Sequence, residues 1–114
     1  MKKLRISTII NDFGGEPILS DKRPLTIKDV ILNHIGTFAS KNGKEVIRLS
    51  KLGHKVYDHV TPYIDLEDAE FELLEKVLAE PRMSVLAVAP VFEAMESAKK
   101  GNDDAGEASD QLGE

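Results

Sequence analysis

Four cations raise the first question of chemistry. Lys44, Arg48, Lys51 and Lys55 follow one another at spacings of four, three and four residues, which aligns them along one face of a helix. His54 lies beside them. A basic ridge of this kind suits a phosphate backbone, because neutralised phosphates release counterions and drive binding. Tyr57 is the only aromatic residue in the segment able to stack on unpaired bases, and the Asn, Gln and Arg cluster that reads base edges is missing. The competing reading is the solvated face of an amphipathic helix opposite an acidic one.

The acidic residues Glu67, Asp68, Glu70, Glu72 and Glu75 are the second group. They fall in neither an H-E-x-x-H motif nor a calcium-loop spacing, so a solvated helical face accounts for them. His34 lies between Ile31 and Ile35 on the apolar side of a helix and reads as a hydrogen-bonded core or boundary residue. His54 and His59 are five apart, on divergent helical faces unsuited to sharing a metal. With no cysteine in the chain, thiolate metal sites, disulfides and cysteine nucleophiles are excluded. The serines have no nucleophile-elbow context, and Gly14-Gly15 is not a phosphate loop. A nucleophile, base and oxyanion donors cannot be assembled. The expectation is a protein that is not an enzyme and needs no cofactor or metal.

The elements that must position these side chains follow from the hydropathy pattern. Leu4, Ile6, Thr8 and Ile10 alternate with Lys3, Arg5 and Ser7, the period of a strand. Asp12-Phe13-Gly14-Gly15 supplies turn chemistry, and Glu16 to Leu19 returns as a short strand with Pro17 at an edge. A lone hairpin is marginal in water, so its apolar face needs the helix that follows as cover. That helix, within Leu25 to Phe38, has Ile27, Val30, Ile31, Ile35 and Phe38 at helical spacing and a Thr26–Asp29 capping-box start. Asn42 or Gly43 is expected to close it in the left-handed conformation.

A second helix is expected from Lys44 to Val60, burying Val46, Leu49, Leu52, Val56 and Val60, with Gly53 admitting the close approach of another backbone. The third, Leu66 to Glu80, would be capped by Asp65. The fourth, about Ser84 to Lys99, contains Pro90, which either kinks it or marks a start near Ala89. Met83 to Met95 is apolar nearly all round, which calls for deep burial or a partner. Residues 100–114, rich in glycine and acids with Leu112 the single large apolar residue, are expected to form a disordered acidic tail. Residues 1–99 would be a single domain.

Composition is that of an ordinary globular chain: 114 residues, 41% apolar and 31% charged. The net charge of −5 is uneven. Residues 1–60 hold eleven Lys and Arg against six acids, +5, and residues 61–114 hold four against fourteen, −10. Such asymmetry signals either a polyanion partner for the basic half or mutual attraction of the halves in the fold. No apolar run approaches the roughly 18 residues of a membrane span, and MKKLRISTII is not a secretory signal. A soluble cytoplasmic protein is expected.

The order of elements carries a resemblance. F-G-G-E-P-I-L at Phe13 to Leu19, P-L-T-I-K-D-V-I-L at Pro24 to Leu32, G-H-K-V-Y at Gly53 to Tyr57 and I-D-L-E-D-A-E-F-E-L-L-E-K-V-L at Ile64 to Leu78 resemble small uncharacterised proteins encoded in phages and prophages, over about residues 4–98. The resemblance implies a role in a phage's life cycle and transfers no catalytic residue; the acidic tail departs from it. Taken together, these readings predict an α+β fold, an N-terminal β-hairpin packed on three to four helices. The leading functional expectation is an accessory protein that binds another protein, or itself, through an apolar surface of the hairpin or last helix. The alternative is a nucleic-acid-binding regulator using Lys44, Arg48, Lys51 and Lys55.

Overall fold

The strand-like alternation at the start of the chain becomes an inside and an outside. Leu4, Ile6 and Ile10 are buried, whereas Lys3, Arg5 and Ser7 face water. In the computed structural model, which describes residues 1–101, this segment opens an α+β fold with β1 (Lys2–Arg5), β2 (Leu19–Ser20), β3 (Arg23–Pro24), α1 (Ile27–Thr37), α2 (Gly43–Asp58), β4 (Tyr63–Leu66), α3 (Asp68–Leu78) and α4 (Val85–Lys99). The expected acidic tail lies outside the described residues from position 102 onward.

The N-terminal segment divides its pairing between two partners. Its distal half makes the expected hairpin: Asn11 bridges Pro17, the Ile18 amide donates to the Ile10 carbonyl at 2.9 Å, and the Asp12 amide to Glu16 at 2.8 Å. Asp12 Oδ1 accepts from the Gly14 and Glu16 amides, and Gly15 takes φ +89°, a conformation glycine adopts without a Cβ clash. The proximal half, β1, pairs instead with β4, antiparallel, Lys2 opposite Leu66 and Arg5 opposite Tyr63. The sequence reading has no strand at 63–66 and assigns Leu66 to a helix, so β4 is a correction. Leu19 to Pro24 forms a second small ribbon whose turn residues Asp21 and Lys22 both have positive φ, +52° and +68°.

The first turn of α1 shows how this ribbon and the helices are joined. A helix begins with amides that have no intrahelical acceptor. Here Ile27 N–H donates to the Thr8 carbonyl and Lys28 N–H to the Ile6 carbonyl, both at 3.0 Å, while Thr26 Oγ1 accepts from the Asp29 amide. Asp29 Oδ2 returns a bond to the Thr26 amide at 3.0 Å, completing the expected capping box. The β segment therefore caps the helix it also covers.

Other boundaries move for physical reasons. Asn42 and Gly43 do not close α1; Asn42 caps α2, its Oδ1 accepting from the Lys44 and Glu45 amides, and Gly43 is the first helical residue. α3 begins at Asp68, with Glu67 rather than Asp65 at the cap, because β4 holds Tyr63–Leu66 extended; Glu70 Oε1 accepts from the Glu67 amide at 2.8 Å. α4 starts at Val85 and runs through Pro90, so Pro90 does not open the helix. The core joins Leu4, Ile6, Ile10 and Ile64 to Ile31, Leu52, Phe71, Leu74, Val91 and Met95 from all four helices.

Candidate functional site: an apolar groove between two helices

The buried stripe of α2 is turned relative to its sequence-predicted position. Glu45, Leu49, Leu52 and Val56 face inward, while Val46 is 49% exposed and Val60 lies in the open beyond the helix. Glu45 is tolerated inside because its carboxylate takes Lys76 Nζ and Ser40 Oγ, each at 2.6 Å. These bonds, the Lys76 contact foremost, hold its carboxyl below the usual range. They also fasten the start of α2 to the end of α3.

Turning the helix this way leaves Val46 and Tyr57, 68% exposed, beside the half-buried outer face of α1. Between them runs an open groove of about 580 Å³. Leu32, Ile35, Gly36 and Phe38 form its α1 side. The α2 side consists of Val46, Leu49, Ser50, Gly53, His54 and Tyr57. Two glycines inside helices are costly choices, about 1 kcal/mol each against alanine. A Cβ on Gly53 would stand 3.4 Å from Ile35 Cγ2, so the close neighbour there is a side chain rather than the backbone expected from sequence. A Cβ on Gly36 would meet nothing within 4 Å; glycine at that position keeps the groove wide.

Two cations lie against the aromatic residues that line the groove. No lining residue carries a carboxylate. Lys28 Nζ lies 5.8 Å from the centre of the Tyr57 ring and donates to the His59 carbonyl at 2.7 Å. At the other end the Arg82 guanidinium stands 5.2 Å from the centre of the Phe38 ring. The groove is thus an apolar trough with cations at its rim.

The sequence-predicted basic ridge sits on the opposite flank of α2. Lys44, Arg48, Lys51 and Lys55 are all exposed, but Lys55 Nζ is held by Glu70 Oε1 at 2.8 Å. Burial works against ionising Glu70; the Lys55 bond and the Glu67 amide outweigh it and keep its carboxyl below the ordinary value. Among the described residues, Lys44, Arg48 and Lys51 make no ion pair within 4 Å. The acidic face of α3 is largely engaged: Asp68 by Lys2 at 3.0 Å, Glu70 by Lys55, and Glu75 by Lys99 at 2.6 Å. No group of three or more His or acidic side chains suited to a metal occurs among the described residues.

His34 is fully buried and doubly bonded. The Arg82 amide donates to Nε2 at 3.0 Å, which leaves the proton on Nδ1, and Nδ1–H donates to the Val30 carbonyl at 2.9 Å. This neutral tautomer pins the link between α3 and α4 to α1, as a core histidine would.

A second apolar surface remains on α4. Ala87, Val88, Val91, Met95 and Ala98 point inward. Val85, 74% exposed, Ala89 and Phe92, 40% exposed, form a stripe on the outer face at spacings of four and three. The segment that is apolar all round is therefore buried on one side and, among the described residues, exposed on the other. No described helix is long and apolar enough to cross a membrane. Comparison with family models, with curated proteins and with solved structures finds no match to this chain.

Proposed function

We propose that this protein is a non-enzymatic accessory protein, of phage origin as its resemblance implies, that works by capturing an amphipathic helix of a partner in the α1–α2 groove. The observation that carries this reading is the groove itself, an apolar trough about 580 Å³ in volume that stands open to solvent. A bare apolar surface rimmed by polar residues is what a helix-binding groove presents to its ligand. Its rim cations Lys28 and Arg82, with no lining carboxylate, favour a helix whose apolar stripe is flanked by acids. A photo-crosslinking residue placed at Tyr57 tests it in the producing cell. A single partner should be trapped there, not trapped from a control position at Glu72, and lost when Ser50→Arg blocks the trough. Equal trapping at both positions would overturn the reading.

A second reading retains nucleic acid as partner, supported by the exposed cations Lys44, Arg48 and Lys51, which among the described residues have no carboxylate within ion-pair distance. Retention on duplex DNA should then fall steeply between 50 and 200 mM salt, as about 1,000-fold or more for many phosphate contacts and less for three. Arg48→Glu with Lys51→Glu should abolish it. No retention at low salt removes this reading.

A further inference from the structure

We infer that the helix received by the groove is α4 of a second copy of this chain, so that the protein assembles head to tail. The inference rests on the groove reading and names its occupant. Three features of the molecule fit together. The exposed stripe Val85–Ala89–Phe92 covers eight residues, about 10 Å of helix from first to last at 1.5 Å per residue. The α2 wall of the groove, Val46 to Tyr57, covers twelve, about 16 Å by the same rise, long enough to take the whole stripe.

Charge agrees with the shapes. Glu93 and Glu96 sit on the exposed side of α4 next to Phe92, and neither has an ion-pair partner among the described residues. The groove offers Lys28 and Arg82 at its two ends and no lining carboxylate to repel them. Gly36, where a Cβ would meet nothing within 4 Å, leaves room on the α1 side for the Phe92 ring. Stripe and groove are different surfaces of one molecule, so the contact is heterologous and each added copy leaves a free groove and a free stripe.

The test uses the full chain and two variants at exposed positions. Phe92→Asp spoils the stripe and keeps the groove; Ser50→Arg blocks the groove and keeps the stripe. In sedimentation velocity from about 5 to 500 µM, wild type should sediment faster with concentration without levelling at a dimer. Each variant alone should stay monomeric, and an equimolar mixture should form a dimer that grows no further. Ala89→Arg in place of Phe92→Asp should behave the same, which guards against a folding defect at Phe92. A wild type monomeric throughout overturns the inference while leaving the groove reading to its crosslinking test. Association surviving in Phe92→Asp and Ala89→Arg but lost in Ser50→Arg shows groove against groove, and also overturns it. A mixture that stays monomeric does so too.

Discussion

At the scale of single residues, the interior depends on polar groups that are fully matched. The Arg82 amide has His34 Nε2 as its acceptor, and the ring fills a site with no exposure to water. Replacing His34 by Leu keeps most of the volume but strands that amide, and should lower stability by about 1–3 kcal/mol in urea unfolding. Glu45 gives a pH signature. Its folded carboxyl lies below the ordinary glutamate value because of Lys76 and Ser40. The stability it lends is present above that value and lost as the pH falls through the lower folded one. Asp68, held down first by its hydrogen bond from Lys2, acts in the same direction. Glu45→Gln should therefore flatten the acid side of the stability curve and lower the plateau at neutral pH. An unchanged acid limb would show that the Lys76 contact contributes nothing. Lys22 tests backbone strain: at φ +68° in a two-residue turn, Lys22→Gly removes a left-handed side-chain penalty and should raise stability by about 1 kcal/mol.

Elements differ in how far their sequence announces them. α1 was legible because Thr26 and Asp29 supply a cap that works through nearest neighbours and its apolar face has a clean helical period. β4 was not. Tyr63-Ile64-Asp65-Leu66 does alternate, with Ile64 and Leu66 buried, but four residues between two helices give a signal that only a distant partner strand makes decisive. The groove was hidden for a related reason. Val46 and Val60 look like core residues by period, and only the placement of Glu45 on Lys76 and Ser40 reveals that α2 is turned to leave Val46 outside. The α4 stripe was half legible: the excess of apolar residues was visible, the face left uncovered was not. Gly36 offers a test that separates stability from function within one element. Gly36→Ala meets no neighbour, so it should raise thermal stability, by about 0.5–1 kcal/mol. By narrowing the groove it should weaken partner capture. A variant that gains stability and binds as before would show that the α1 side of the groove is not used at this position.

For the whole molecule, the closure between β1 and β4 decides what unfolds together. It ties residues 2–5 to residues 63–66, a span of about sixty residues that encloses both α1 and α2. Ile6 continues the junction by donating to the Pro62 carbonyl at 2.8 Å, while its own carbonyl accepts from the first turn of α1. Leu4, at the centre of β1, is 1% exposed and belongs to the core that also holds Phe71 and Met95. A defect at Leu4 is thereby felt by α1 through its cap, by α3 through β4 and by α4 through direct packing. Leu4→Ala should cost about 2–5 kcal/mol, the range for a large aliphatic truncation in a packed interior. The loss should register across every element rather than as fraying of the N-terminus. Hydrogen exchange checks it: in the variant, protection should fall in parallel for the slowest amides of α1, α3 and β4. Faster exchange confined to β1 would mean that the helices hold together without the strand that spans them.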